Sequence, residues 1–298
     1  MKVHFCGVGK MGLPMAGHLA HAGHAVSVSD PSSVQCQTAA ALGLAVVDDA
    51  ALDEALQQAD VVMSSLPDDK ALVILGARLA GAARPGSIYV DTSTVSPVVS
   101  AEVALALQAR GVAYVRCTVS GNNKMAEAAQ LTVMASGPKE AYEKVLPLLR
   151  VLGPTRFYLG EAEQARLMKL VVNLMIAQTS AMLGEALALG RKGGLDWQDM
   201  WHVLTASAVG SPILKAKSAQ LSQRDFSPTF TVLQMIKDLE LILGAGLTSQ
   251  TPLPQTAMTL ELMRSAVAAG LAQEDYAAIL KVTERAAGLN DEGPNAGA

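Results

Sequence analysis

Residues 7–12 read Gly7-Val8-Gly9-Lys10-Met11-Gly12, after the apolar run Lys2–Cys6 and at the start of a helix-like stretch, Met11–Ala22. Three glycines at this spacing allow a tight turn, a close approach of the backbone to a pyrophosphate, and close packing of the helix on the strand. The N–H groups at the start of the helix can bind the phosphates. The motif therefore predicts a dinucleotide-binding site built from Gly7, Gly9, Lys10, Met11 and Gly12.

A second strand-like run, Ala25–Ser29, leads to Asp30, which stands 18 residues beyond Gly12. An acid in this place accepts hydrogen bonds from the 2′- and 3′-hydroxyls of the adenosine ribose. Its negative charge would repel the 2′-phosphate of NADP. We therefore predict that the cofactor is NAD and that NADP is disfavoured.

The composition excludes several classes of partner. The chain has 298 residues, of which 50% are hydrophobic, and a formal net charge of −4. It carries no cluster of Lys and Arg, which argues against a nucleic acid or an anionic membrane as a partner. The three cysteines, Cys6, Cys36 and Cys117, are far apart, so neither a disulfide framework nor a zinc site is predicted.

We predict neither a signal peptide nor a membrane span. The first strand begins at residue 2, which leaves no room for a signal peptide. The most apolar helical stretch, Leu167–Leu183, is a poor membrane span because it contains Lys169, Asn173 and Gln178. A cytoplasmic protein is expected.

Strand-like and helix-like runs alternate through the first half of the chain. Apolar runs such as Val61–Leu66 and Ile88–Asp91 are separated by helix-like segments, a pattern typical of a parallel sheet that is covered on both faces. The predicted fold class is α/β, with an N-terminal Rossmann-type, doubly wound sheet.

The pattern changes near Gly160. From Ala162 to Lys192 there is no strand signal and no proline, which predicts one helix of roughly 45 Å at about 1.5 Å per residue, long enough to connect two domains. The rest reads as helix and loop. We predict a dinucleotide-binding domain over residues 1–162 and an all-helical substrate and oligomerisation domain, built on this helix, over residues 163–298. The polar tail, Asn290–Ala298, is predicted to be disordered.

Lys169 and Asn173 are four residues apart on this helix and share one face. Their neighbours are mainly Leu, Met and Val, which leaves two interpretations. The lysine either extends its charged end to solvent, or it is desolvated, which lowers its pKa and makes it a proton donor or acceptor near neutral pH. A ligand crevice is expected just past the dinucleotide-binding domain, and this position favours the catalytic interpretation.

Three turns that follow predicted strands are candidates for ligand contacts. The turn Ser120-Gly121-Asn122 precedes a helix-like stretch, so its N–H groups can form an anion-binding nest, although an ordinary strand-to-helix turn reads the same way. Leu66 and Pro67 follow one buried strand, and Thr94 follows the next. Residues at the carboxyl ends of parallel strands can shape a nicotinamide pocket, and turn chemistry alone also explains them.

Two further groups carry weaker signals. The pair Lys237-Asp238 on a predicted helix is typical of a solvated surface. His18, His21 and His24 have helical spacing, but the first helix of a dinucleotide-binding fold has one face on the sheet and the other in water. No metal site is predicted there.

From about residue 1 to residue 285 the chain resembles the β-hydroxyacid dehydrogenase family, which includes 3-hydroxyisobutyrate dehydrogenase and tartronate semialdehyde reductase. The similar motifs occur in the family's order. They are the cofactor signature Gly7–Ala16, the segments Ser65–Pro67 and Asp91–Pro97, the substrate motif Val119–Gly121, the helix with Lys169 and Asn173, and the late motif Phe230–Asp238.

The resemblance implies an oxidoreductase that transfers hydride between NAD and a small 3-hydroxy acid or its semialdehyde. Lys169 is then the general acid/base, and Asn173 orients the reacting oxygen. The turn Ser120–Asn122 holds the carboxylate of the substrate, and Lys237 lies near the nicotinamide. Helical domains of this family interlock, so a homodimer or homotetramer is expected.

The sequence departs from the family's pattern in one region. The family's substrate motif begins Asp-Ala-Pro and carries two glycines after the serine, whereas this chain has Arg116-Cys117-Thr118 and Asn122. A further glycine of the family corresponds to Ala129. Asn122 keeps its backbone N–H and adds an amide that narrows the site, and Arg116 reverses a charge. These changes leave the identity of the substrate open.

Two alternative functions fit the same fold. An imine reductase has a similar architecture, but such relatives generally lack the helix lysine, so Lys169 counts against it. A catalytically silent scaffold that binds a dinucleotide would be indicated by loss of the lysine and by an appended reader domain. This chain has the lysine, and no such domain is expected.

Overall fold

A computed structural model describes residues 1–289 of the chain. The tail Asn290–Ala298, for which disorder is predicted, lies outside the described residues. The chain divides into two compact units, Met1–Leu170 and the part from Val171 onward, so the division falls inside the long helix at residues 164–192.

The first unit is built on one eight-stranded sheet with the strand order β3-β2-β1-β4-β5-β6-β7-β8. The predicted doubly wound sheet is confirmed. Its strands are β1 (Lys2–Cys6), β2 (Ala25–Ser29), β3 (Ala45–Val46), β4 (Val61–Ser64), β5 (Ile88–Asp91), β6 (Ala113–Ser120), β7 (Thr132–Ser136) and β8 (Thr155–Tyr158).

Helices cover both faces of this sheet, as the alternating pattern predicts. Val3, Phe5 and Met63 pack into a hydrophobic core on one face, and Cys6, Val62 and Tyr89 pack into a second core on the other. The helices of this unit are α1 (Gly12–His21), α2 (Ser33–Ala41), α3 (Leu52–Gln58), α4 (Asp69–Ala82), α5 (Pro97–Gln108), α6 (Asn123–Glu127), α7 (Lys139–Leu152) and the first turns of α8 (Gln164–Lys192).

One pair of neighbouring strands departs from the expected parallel arrangement. β6 and β7 are antiparallel, with Cys117 opposite Ala135. A parallel pair needs a crossover of about a dozen or more residues, usually with a full helix. The segment between Ser120 and Thr132 holds only the five residues of α6, so the chain reverses direction there.

The second unit consists of helices and connecting loops in its described residues, as predicted, with one isolated β-bridge between Thr231 and Asp275. Its core includes Glu284, whose side chain is fully buried and accepts hydrogen bonds from Arg191 and Arg224. The unit contains the rest of α8, α9 (Trp197–Ala206), α10 (Pro212–Leu221), α11 (Val232–Thr248), α12 (Pro254–Ala268), a 3₁₀ turn (Tyr276–Ala278) and α13 (Ile279–Ala286).

Within residues 1–289, one helix, α8, is long and apolar enough to span a membrane by length and composition, and 44% of its most apolar window is buried inside the protein. A helix from the core of a soluble protein passes the same test. The helix also carries Arg166 and Asn173, both of which are buried and hydrogen-bonded to carboxylates.

Candidate active site

The carboxyl ends of five neighbouring strands form one edge of the sheet in the first unit. β2, β1, β4, β5 and β6 are adjacent and parallel, so the segments that follow them lie along the same edge. In doubly wound folds this edge holds the ligand. The predicted site residues at the ends of these strands or in the segments after them are Gly7, Gly9, Lys10, Met11, Gly12, Asp30, Leu66, Pro67, Thr94, Ser120, Gly121 and Asn122.

The backbone of the loop at residues 7–12 leaves room for a ligand on one side and none on the other. Gly7 has a φ of +88°, which favours glycine, and a Cβ on Gly12 would lie 1.9 Å from the carbonyl oxygen of Gly7. A Cβ on Gly9 would meet no atom of the described chain within 4 Å. The loop therefore fits a pyrophosphate that approaches at Gly9.

Asp30 connects the end of β2 to this loop. Its carboxylate accepts a hydrogen bond from the backbone N–H of Val8 at 2.9 Å and another from Ser32 at 2.8 Å. Lys10 is exposed, and Met11 precedes α1 at the N-cap position. In the described structure Met11 makes no capping hydrogen bond with its side chain, which leaves N–H groups of the first turn for an anion.

The two loops after β4 and β5 are joined by hydrogen bonds. The backbone N–H of Leu66 donates to Ser93 Oγ at 2.7 Å, and the Ser93 hydroxyl donates to the carboxylate of Asp91 at 2.6 Å. Pro67 is exposed, and Thr94 is half-buried next to Ser93. The loops predicted to surround the nicotinamide thus share a buried carboxylate.

A buried arginine that our sequence reasoning missed attaches α8 to this edge. Arg166 is 1% exposed, and its guanidinium pairs with the carboxylate of Asp91. Burial works against the charge of Arg166, but Tyr114 and Asp91 outweigh that effect and raise its pKa. Lys169 follows one turn later and is half-buried. The only sequence signal was a second cation three residues before Lys169 on an apolar helix.

The residues that depart from the family's substrate motif contact the start of α8. The Arg116 guanidinium pairs with Glu163, and the hydroxyl of Thr118 donates to the backbone oxygen of Ala165 at 3.0 Å. Cys117 is fully buried, and burial raises the pKa of its thiol to about 12. The charge reversal at Arg116 is therefore balanced inside the fold by Glu163.

The turn after β6 is shaped by close packing at Gly121 and by the side chain of Asn122. Gly121 has a φ of +143°, and a Cβ there would lie 2.7 Å from a methyl carbon of Leu131. The side-chain oxygen of Asn122 accepts a hydrogen bond from the N–H of Met125 at 3.0 Å and caps α6. Ala129 has a φ of +53°, which explains why a glycine suits that position.

In the second unit, Asn173 and Asp238 form a buried pair. The side-chain N–H of Asn173 donates to Asp238 Oδ2, and Asp238 Oδ1 lies 3.1 Å from Lys237 Nζ. Asp238 is 1% exposed. The prediction from the Lys237-Asp238 pattern that this pair lies on a solvated surface is therefore wrong for Asp238. The Lys237 side chain is 32% exposed.

Among residues 1–289, no group of three or more His, Cys, Asp or Glu side chains could hold a metal ion. The side chains of His18 and His21 interact with backbone carbonyls instead. His18 Nε2 lies 3.0 Å from the carbonyl oxygens of Ala126 and Glu127, and His21 Nδ1 lies 2.8 Å from that of Gly17.

Two family descriptions match nearly the whole chain. Residues 2–160 match the NAD-binding domain of 6-phosphogluconate dehydrogenase. Residues 164–283 match the NAD-binding domain of NADP-dependent 3-hydroxyisobutyrate dehydrogenase. The glycine loop lies in the first segment, and Lys169 lies in the second.

Individual relatives also match over their full length or most of it. The chain is 32% identical to 2-(hydroxymethyl)glutarate dehydrogenase of Eubacterium barkeri, with 98% of each chain covered. It is 30% identical to glyoxylate/succinic semialdehyde reductase 2 of Arabidopsis thaliana, covering 96% of this chain and 80% of that one. The solved structure of 3-hydroxyisobutyrate dehydrogenase from Mycobacterium tuberculosis with L-serine has a TM-score of 0.87 at 28% identity, covering 94% of this chain and 98% of that chain.

Proposed function

The chain belongs to the β-hydroxyacid dehydrogenase family, and we propose that it interconverts a small 3-hydroxy acid and its semialdehyde or 3-oxo form with NAD. The observation that carries this proposal is the place of Lys169. It stands one turn beyond Arg166, which is bonded to the carboxyl end of β5. A half-buried amine is thereby held at the sheet edge that presents the glycine loop.

Two features support NAD over NADP. Asp30 is fixed at the end of β2 by two backbone N–H groups. A carboxylate there can accept hydrogen bonds from the ribose hydroxyls and would repel a 2′-phosphate. The sequence between Lys10 and Lys70 contains no Lys or Arg that could bind that phosphate.

Lys169 would move the proton of the reaction. In the oxidation the neutral amine takes the proton of the substrate hydroxyl, and in the reduction the ammonium returns it to the carbonyl oxygen. When bound, the nicotinamide supplies the acceptor or donor of the hydride. The amide of Asn173 has two N–H donors. One is used by Asp238, which leaves the other for the reacting oxygen of the substrate.

The turn Ser120–Asn122 would bind the carboxylate of the substrate. Its successive backbone N–H groups and the Ser120 hydroxyl are donors suited to an anion. Asn122 would contribute its backbone, because its side-chain oxygen already caps α6. Lys237 would add a positive charge near the nicotinamide end of the cofactor.

We also propose that the protein forms a homodimer or homotetramer. Several large apolar side chains along α8 are exposed in the single chain, among them Val171, Met175, Met182 and Leu189 at 52%, 60%, 61% and 77%. Contiguous exposed apolar surface is typical of an interface. Sedimentation equilibrium measures the assembly directly, and a strictly monomeric protein would contradict this part of the proposal.

The first experiment is a turnover assay that follows NADH absorbance with the purified protein. NAD and NADP are each combined with 3-hydroxy acids that differ at C2 and C3, with 2-hydroxy acids as the control. We expect turnover with NAD and with acids that carry a 3-hydroxyl. A preference for NADP would contradict the role of Asp30. NADH binding without turnover of any hydroxy acid, together with reduction of a cyclic imine, would favour the imine reductase alternative.

A further inference from the structure

Arg166 lies next to the candidate active site and makes four hydrogen bonds inside the first unit. Its guanidinium donates to the carboxylate of Asp91, to the backbone oxygen of Ser93 at 2.6 Å, to the hydroxyl of Tyr114 at 2.6 Å and to Ser100 Oγ at 3.3 Å. These acceptors come from β5, the loop after it, β6 and α5. One side chain thus connects α8 to four other segments.

The same network reaches the second loop of the candidate site. Asp91 also accepts hydrogen bonds from the hydroxyls of Ser64 and Ser93, and Ser93 accepts one from the backbone N–H of Leu66. A displacement of Arg166 would therefore shift the hydrogen-bonded groups of both loops. It would also shift Lys169, which lies one turn further along α8.

Stability alone is a weak explanation for the buried ion pair of Arg166 and Asp91. Replacing a buried ion pair with apolar side chains of similar volume is often neutral or stabilising. The Arg166 and Asp91 side chains are both completely inaccessible to solvent. What a guanidinium offers here is geometry, because its planar fork donates in several fixed directions at once.

We propose that Arg166 is a positioning residue that sets the place of Lys169 relative to the loops at residues 65–67 and 91–94. This inference rests on the proposed function, in which Lys169 moves the proton. The first turn of α8 is held against the end of β5 by Arg166, and Glu163 and Ala165, which precede Arg166, add contacts to β6. In this proposal these contacts fix the position of Lys169 relative to the carboxyl ends of the strands.

The test compares Arg166→Gln and Arg166→Lys with a matched control, Arg224→Gln. The side chain of Arg224 is 12% exposed and donates to both oxygens of the fully buried Glu284, but it lies in the second unit. The measurements are kcat, KM for the hydroxy acid, and the Kd of NADH from fluorescence. Because Arg166→Gln leaves Asp91 buried without its partner, the double variant Arg166→Gln/Asp91→Asn carries the test if the single variant does not fold.

We expect Arg166→Gln and the double variant to lower kcat by about 100-fold, since a displacement of about 1 Å can cost that much. KM and the Kd of NADH should stay within about threefold of the wild-type values, and Arg166→Lys should recover part of kcat. Arg224→Gln should keep kcat within about twofold despite a lower melting temperature. An equal loss of kcat in Arg224→Gln, or a Kd of NADH that rises as much as kcat falls, would overturn the proposal.

A second measurement needs no turnover. Hydrogen exchange of the amides in residues 164–170 should accelerate in the double variant and stay unchanged in Arg224→Gln. Unchanged exchange in both variants would overturn the positioning role even if the wild-type protein is active. Accelerated exchange together with a wild-type protein that oxidises no 3-hydroxy acid would contradict the proposed function and leave the positioning of α8 supported.

Discussion

The glycine loop at residues 7–12 and the first turns of α8 lie in the same compact unit, and different parts of the chain shape them. In the loop the glycines decide the backbone conformation, since a Cβ on Gly12 would lie 1.9 Å from the Gly7 carbonyl oxygen. The position of α8, by contrast, depends on the side chain of Arg166, which donates hydrogen bonds to Asp91 and to the backbone oxygen of Ser93. The loop therefore has no room for an added atom at Gly12, whereas the first turns of α8 depend on the hydrogen bonds of one side chain.

The largest effect is expected at the helix, where Lys169 carries the proton in the proposed mechanism. Lys169→Met keeps the length and apolar body of the side chain and removes the amine. We expect kcat to fall by about 10³-fold, within the range for removal of a general acid/base, while the Kd of NADH changes less than about threefold. Steady-state kinetics and NADH fluorescence measure the two quantities.

Lys192→Met is the matched control for this change, because Lys192 is exposed and lies in the last turn of the same helix. It should leave kcat unchanged. A Lys169→Met protein that retained full turnover would show that the helix does not supply the proton. The first turns of α8 would then differ from the glycine loop in structure but would have no part in proton transfer.

Acid should weaken the strand that leads into the loop. His4 lies in β1 with its ring nitrogens 2.9 Å and 3.0 Å from the hydroxyl oxygens of Ser27 and Ser29. Burial lowers the pKa of His4 from 6.5 to about 4. Between these values the unfolded chain binds a proton that the folded chain does not, so the free energy of unfolding decreases as the pH falls. The full loss is about 3 kcal/mol.

Urea unfolding at several pH values measures this loss, with His4→Gln as the test and His21→Gln as the exposed control. The wild-type protein should lose about 3 kcal/mol more than His4→Gln between pH 6.5 and 4, and His21→Gln should behave as the wild type. Parallel pH profiles for all three proteins would contradict a neutral, buried His4.

The difference between the two regions also explains what the sequence could predict. The glycine loop is local: strand, turn, helix and Asp30 follow one another within 30 residues, and each residue type has a direct steric or charge reason. The strands over residues 2–6, 25–29 and 88–91 were predicted with the observed bounds because they are continuous apolar or alternating runs.

The missed features depend on partners that are distant in the sequence. Arg166 and Asp91 are 75 residues apart, and Asn173 and Asp238 are 65 apart, so no local pattern indicates either pair. The strand at residues 155–158 was not predicted because it is short and alternately exposed. The contact of Thr118 with Ala165 likewise became visible only in three dimensions.

In the loop, one methyl group should weaken cofactor binding. Gly12→Ala places a Cβ where the Gly7 carbonyl oxygen now lies, and the loop must move to accept it. We expect the Kd of NADH to rise by about 100-fold, equivalent to about 2.7 kcal/mol. Gly17→Ala is the matched control in the same helix, because a Cβ there meets no described atom within 4 Å.

Gly17→Ala should bind NADH as the wild type does and raise the free energy of unfolding by about 0.5–1 kcal/mol, the usual gain for alanine in a helix interior. Equal affinities in the two variants would mean that the loop adapts to an added atom. The close approach of Gly12 to the Gly7 carbonyl oxygen would then not be required for cofactor binding.

The smallest effect is expected where α8 depends on a partner for orientation alone. Asp238→Asn keeps the shape of the side chain and replaces a charge-assisted hydrogen bond to Asn173 by a neutral one. The two kinds of bond differ by about 1 kcal/mol, so we expect kcat to fall between about fivefold and tenfold with little change in the Kd of NADH. Glu240→Gln, on the same helix and exposed, is the control and should have no effect. A loss as large as that of Lys169→Met would mean that Asp238 acts on the reacting atoms directly, and the role assigned to Asn173 would pass to the aspartate.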